Sequence, residues 1–130
     1  MFEIIIQKKL KFTKEDLTDI LSSCFDGGCY YWAIIDNDRE EWNIAENCCK
    51  KHDCTVEDIM LWILLNGYNI HLIDKEDNNT EISFNFTDFM NGIKRSINEG
   101  FWNGEDISDV DGVVGDTIIQ YACFNELVYG

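Results

Sequence analysis

The sequence predicts a small α+β domain, a short, mainly antiparallel sheet packed with four to five helices. Three observations carry that expectation. Stretches of apolar residues at helical spacing each follow a residue suited to cap a helix. Two runs rich in branched and aromatic residues flank one polar turn, Asp74 to Thr80, as in a hairpin. Apolar residues make up 45% of the chain and aromatics 13%, enough for a core and too much for a disordered chain. A protein of this mass buries about two thirds of its surface on folding.

The elements follow in chain order. Phe2 to Phe12 opens apolar and then alternates loosely, as in a strand or extended arm. Thr13 with Asp16 forms a capping-box-like start. Leu17, Ile20, Leu21 and Cys24 then recur at helical spacing, so 14–25 is a helix with one buried face, ended by Gly27-Gly28. Cys29 to Ile35 is aromatic and branched, and reads as a strand. Asp38 is the expected cap of a helix running to about residue 50, and Thr55 with Asp58 opens another that ends at Gly67. Tyr68 to Ile73 and Glu81 to Phe86 are the hairpin strands. Thr87 is the expected cap of a helix carrying Phe89, Met90, Ile93 and Ile97, ended by Gly100. A Gly/Asp loop leads to a last helix around Gly115 to Phe124.

With no prolines, repeats or low-complexity tracts, residues 1–130 read as one domain. The longest apolar runs, Cys29 to Ile35 and Ile59 to Leu65, have seven residues each and are too short for a membrane span. The apolar start precedes Lys8 and Lys9, the reverse of the order in a signal peptide. The expected compartment is a reducing cytoplasm, in which six cysteines are core residues, metal ligands or a nucleophile rather than a disulfide framework.

Charge is the strongest compositional signal. Twenty-five acids against ten bases give a net charge of −15. Lys8, Lys9, Lys11 and Lys14 gather near the start, whereas residues 96–130 hold seven acids (Glu99, Glu105, Asp106, Asp109, Asp111, Asp116, Glu126) and no Lys or Arg. Such a surface repels phosphate, which argues against direct nucleic-acid binding. It attracts basic proteins, though acidity also serves solubility alone. Glu105, Asp106, Asp109 and Asp111 are the candidate partner-binding acids. Trp102, set with Phe101 between Gly100 and Gly104, is the candidate aromatic anchor beside them. The alternative for Trp102 is a loop pinned onto the core.

Cys48, Cys49, His52 and Cys54 place four zinc-type donors within seven residues, and a crowded four-donor shell implies a structural Zn2+. The spacing fits no standard finger. The competing reading is a helix–turn–helix joint, with Cys54 in a slot between helices and His52 near a helix end. Cys29 behind a glycine turn, with His71 later in the chain, raises a cysteine nucleophile. It lacks the helix start that lowers a thiol pKa, so the chain is read as no enzyme and Cys29 as core. The aspartates around Gly112 fail as a calcium loop, because Ile118 falls where the twelfth-position acid belongs.

Two segments, FTKEDLTDILSSCFDGGCYYW (12–32) and DVDGVVGDTIIQYACFNELVYG (109–130), resemble the start and the C-terminal signature of a family of small acidic phage and prophage proteins. FTDFMNGIKRSI (86–97) is a weaker third match. Cys24, Cys29 and Cys123 stand where that family has other small or apolar residues, and the 48–54 cluster is an addition to its pattern. The resemblance implies a phage-encoded anti-defence protein. Its partner would be a basic host protein, a type II CRISPR nuclease whose positive nucleic-acid channel an acidic domain blocks. A zinc-stabilised phage adaptor or scaffold with another basic partner is the alternative.

Overall fold

The computed structural model describes residues 1–4, 8–49 and 54–130. Among these are five α-helices, one short 3-10 turn and a three-stranded antiparallel sheet, the α+β class expected.

Helix α1 (Lys14–Phe25) spans the residues its sequence predicts. The Thr13 hydroxyl accepts the Asp16 N–H at 3.0 Å, and the Asp16 carboxylate accepts the Thr13 N–H at 2.8 Å. This reciprocal box satisfies two donors that a helix start leaves free. Strand β1 (Ala33–Ile35) is shorter than the predicted Cys29–Ile35 run. Gly28 lies so close to α1 that a Cβ there would strike the Cys24 carbonyl. Cys29 N–H bonds that carbonyl at 2.9 Å, and the Cys29 carbonyl then accepts Trp32 and Ala33 N–H. Those bonds curl 29–32 into a turn, overriding its strand propensity.

Helix α2 (Glu40–Cys48) begins without a side-chain cap, Arg39 standing at the cap position. Asp38 is not the cap. Its N–H and the Arg39 guanidinium both bond Asp36, which organises the turn instead. Helix α3 (Val56–Leu65) starts on the predicted Thr55–Asp58 box. Strands β2 (Ile70–Asp74) and β3 (Thr80–Phe84) form the predicted hairpin, and β1 pairs with β2 in the order β1-β2-β3. The register sets Ile34 against Ile73 and Leu72 against Ile82. Alternation buries Ile70, Leu72 and Phe84 on one face and leaves Ile34 exposed on the other.

Helix α4 (Phe86–Asn98) is capped by Asn85, not Thr87, because the Asn85 and Asp88 side chains exchange bonds with each other's backbone N–H. Helix α5 (Gly112–Phe124) starts three residues earlier than predicted, on the Asp111 cap. It is buried almost all round, as a central helix should be. α4 closes on one side of it, where Gly92 lies against the Ile118 carbonyl. α1 closes on another, where a Cβ on Gly115 would sit 2.7 Å from Cys24 Cα. The core fills the space between these three helices, α3 and the inner sheet face.

Candidate functional site

The seven residues 105–111 form an acidic loop that leads into α5. Glu105, Asp106, Asp109 and Asp111 are all exposed, while Val110 between them is buried and anchors the loop. Asp106 accepts bonds from the Ser108 N–H at 3.0 Å and the Ser108 hydroxyl at 2.7 Å, capping the 3-10 turn Ile107–Asp109. The Asp111 carboxylate accepts the Val114 N–H at 2.9 Å and caps α5. Lys8 pairs with Glu105 at 2.6 Å. Its hydrogen bond and charge hold the Glu105 carboxyl below the usual range, and the Ser108 bonds do the same for Asp106. Both are therefore ionised at neutral pH. A Cβ on Gly112 would lie 2.5 Å from the Gly27 carbonyl, so the exposed Asp26 belongs to the same side of the molecule.

Trp102 corrects the expectation of an aromatic anchor. It is only 7% exposed, and its indole N–H donates to the Ser96 hydroxyl at 2.8 Å within α4. Gly100 and Gly104, at φ +86° and +80°, take the left-handed conformations that turn this loop back onto α4. Phe12 packs on the indole with ring centroids 6.3 Å apart. Two apolar residues flanking the acids in sequence are exposed. Phe101 is 38% exposed, and Val113, the second residue of α5, is 69% exposed. Sequence reasoning passed over Val113, which it placed in the polar loop before a helix expected to start around Gly115.

The cysteine cluster also differs from expectation. Cys49 and Cys54 are joined in a disulfide that ties the end of α2 to the start of α3. In a disulfide neither sulfur is the thiolate that zinc requires, so neither can ligate in this state. Cys48 is a free, exposed thiol, and His52 lies outside the described residues. Among the described residues, no group of three or more His, Cys, Asp or Glu is gathered to hold a metal ion. Cys48 and Cys49 instead line a cleft of about 510 Å³ between α1, α2 and α3, with Lys14, Asp19, Asp58 and Trp62. Cys29 is fully buried, and its thiol is pushed up to about 12, by burial first and by the Asp116 charge second. That thiol stays protonated at neutral pH, and Cys29 sits in the core. His71 sits in β2.

A polar clamp that sequence reasoning missed joins the turn before β1, the end of β2, α5 and the C-terminal residues. Asp116 accepts the Trp32 indole N–H at 2.7 Å, the Tyr31 hydroxyl and the Gln120 amide at 3.1 Å. Gln120 Oε1 in turn accepts the Val128 and Tyr129 N–H groups, each at 2.8 Å. The Tyr129 hydroxyl donates to Asp74 at 2.6 Å, and Asp74 is only 2% exposed. Burial, then the Asp116 bond, raises the Tyr31 hydroxyl pKa. The bond to Asp74 pushes Tyr129 up to about 12. The clamp joins Tyr31 and Trp32 to Asp116 and Gln120, and through Gln120 to Tyr129.

No helix among the described residues is long and apolar enough to cross a membrane. No protein family matches the chain. No curated protein matches it. No solved structure matches it.

Proposed function

We propose that the chain is a non-enzymatic binding protein that captures a basic partner on the acidic face at 105–111. One observation carries this reading. Four exposed carboxylates fall within seven residues of a chain whose net charge is −15, with Lys8 the cation paired to them among the described residues. A surface of this kind steers a basic protein toward itself and turns nucleic acid away. Phe101 and Val113, which flank the acids in sequence, supply exposed apolar area, which gives a charge-led encounter something to bury.

The resemblance of 12–32 and 109–130 to small acidic phage proteins supports a more specific form. The chain is then an anti-CRISPR inhibitor acting in the host cytoplasm. It occupies a positive surface of a type II RNA-guided nuclease and blocks DNA binding or cleavage.

The test is cleavage of matched plasmid DNA by a panel of such nucleases, with and without the purified protein. Inhibition that fades as salt rises is the expected result. The matching variant carries Glu105→Gln, Asp106→Asn, Asp109→Asn and Asp111→Asn. Asparagine caps helices about as well as aspartate, so the charge goes and the fold stays. Full inhibition by this folded variant rules out the face, and uninhibited cleavage across the panel rules out the nuclease partner.

The zinc-stabilised adaptor remains the second reading for the reduced chain alone, favoured by two cysteines close enough to share a bond beside a third. Metal analysis of reduced, untagged protein purified without chelator decides it. Absence of stoichiometric zinc removes that reading.

A further inference from the structure

The geometry points to a thiol–disulfide exchange site at the α2–α3 joint, where the Cys49–Cys54 bond opens to a low-molecular-weight thiol of the glutathione class entering along the neighbouring cleft. The six cysteines divide into two groups. Cys24 and Cys29 are fully buried, and Cys123 is packed against the core. Burial holds these three thiols protonated, above the usual range. The other three sit together at one joint: Cys48 exposed, Cys49 half-buried, Cys54 half-buried and bonded to Cys49. Reagent access and reactivity therefore coincide at one place in the molecule.

The two bonded sulfurs are not equivalent. Cys49 lines the cleft, whose volume of about 510 Å³ is ample for a small peptide thiol. Cys54 packs against the hydrophobic core and is not among the lining residues. Cys54 also stands directly before Thr55, the cap of α3, where the free N–H end of a helix favours a thiolate. Cys49 stands at the carbonyl end of α2, which does not. Access selects Cys49 as the sulfur attacked, and helix polarity selects Cys54 as the sulfur that leaves.

The chemistry balances on thiols alone. The incoming thiolate bonds to Cys49 Sγ as the Cys49–Cys54 bond breaks. The electron pair departs on Cys54 Sγ, which takes a proton from solvent. A second small thiolate then attacks the outer sulfur of the mixed disulfide. It leaves Cys49 as a thiol and releases the oxidised small disulfide. Two small thiols are oxidised and one protein disulfide is reduced; the reverse steps close the joint again. The acidic loop at 105–111 is not among the residues that line this cleft.

The experiment incubates the folded full-length protein at about pH 8, where a thiolate fraction exists, in graded mixtures of reduced and oxidised glutathione. Acid quenching, alkylation and peptide mapping by mass spectrometry then read each cysteine. The expected result is reversible opening of Cys49–Cys54, with the glutathione adduct on Cys49. Cys48, an exposed free thiol, exchanges with the glutathione pool as an internal reference for access, and Cys24, Cys29 and Cys123 are labelled only after denaturant is added. Cys54→Ser removes the internal resolving thiol, and the Cys49 adduct then accumulates about tenfold over wild type. A Cys49–Cys54 bond that survives excess reduced glutathione until denaturant is added overturns the proposal. So does a bond that fails to form in oxidised glutathione, or an adduct spread evenly over the buried cysteines. An adduct that stays on Cys48 in the Cys54→Ser protein overturns the assignment to Cys49.

Discussion

The α1–α5–α4 stack and the α2–α3 joint are held together in opposite ways. In the stack, glycines let backbones touch: Gly92 meets the Ile118 carbonyl and Gly115 meets Cys24. Side chains then fill what remains, and the buried Thr117 and Gln120 are satisfied internally. At the joint, α2 buries only Trp42 and Ala45, a cleft separates it from α1, and one covalent bond closes the turn. The contrast assigns different roles to the two regions. A stack fixed by close packing presents the acidic loop at the start of α5 in one geometry. A joint with little buried packing and one reducible bond opens more readily than the stack.

The largest expected effect comes from breaking the stack. Gly115→Ala drives a Cβ to within 2.7 Å of Cys24 Cα and Ser23 O, both backbone atoms that cannot step aside. Overpacking of this kind should cost about 3 kcal/mol. Chemical denaturation should show a lower midpoint with an unchanged slope, and a variant as stable as wild type would show that α1 and α5 do not meet this closely.

Breaking the joint should cost less. Cys49→Ser with Cys54→Ser removes the constraint on a short loop, a loss of about 2 kcal/mol in the chain-entropy account. The change should also be local. Hydrogen exchange should rise in α2 and at the start of α3 while α4 and α5 keep their protection. Equal loosening in α5 would mean that the two regions form one cooperative unit, and the comparison would fail.

The C-terminal clamp sharpens the stack's side of the comparison through pH. Tyr129 has its hydroxyl pKa raised from 10.0 to about 12 by the bond to Asp74. A raised folded value means that the neutral tyrosine is favoured in the native state. Its stabilisation is fully present below about pH 10 and is lost as pH climbs toward 12. Tyr129→Phe should lower the melting temperature at neutral pH, because Asp74 keeps its burial and loses a donor. It should also flatten the alkaline limb of the stability profile. An alkaline limb identical to wild type would place that titration elsewhere.

What the sequence disclosed follows the range of the interaction responsible. The starts of α1 and α3 were legible to the residue because a capping box is complete within four positions. The hairpin was legible because its polar turn separates its strands locally. Two misreadings were local. Cys29 to Trp32 has strand propensity, but the close packing of Gly28 on the end of α1 curls it. Thr87 lost to Asn85, whose box with Asp88 is complete within four positions and was there to be read. Of the candidate site, the four acids were legible because exposed charge is a property of the residues themselves. Trp102 was not, because its direction depends on Ser96 in α4. The disulfide was not, because donor density alone does not separate a metal shell from a bonded pair. The Asp116–Gln120–Tyr129 clamp spans sequence separations as large as 89, far beyond any local pattern.

The smallest expected stability effect tests the acidic face most directly. Lys8 and Glu105 bond at 2.6 Å, yet their side chains are 69% and 52% exposed, so solvent and salt screen most of the attraction. Lys8→Ala should leave the melting temperature unchanged within error. It should nonetheless alter binding, because it removes a cation that partly neutralises the face and frees Glu105 for an incoming guanidinium or ammonium group. Affinity for a basic partner should rise slightly, and its dependence on salt should steepen. Glu105→Gln should do the reverse at the same position and with the same small effect on stability. If Lys8→Ala instead weakens the complex, the lysine itself touches the partner, and the face that binds is mixed in charge rather than acidic.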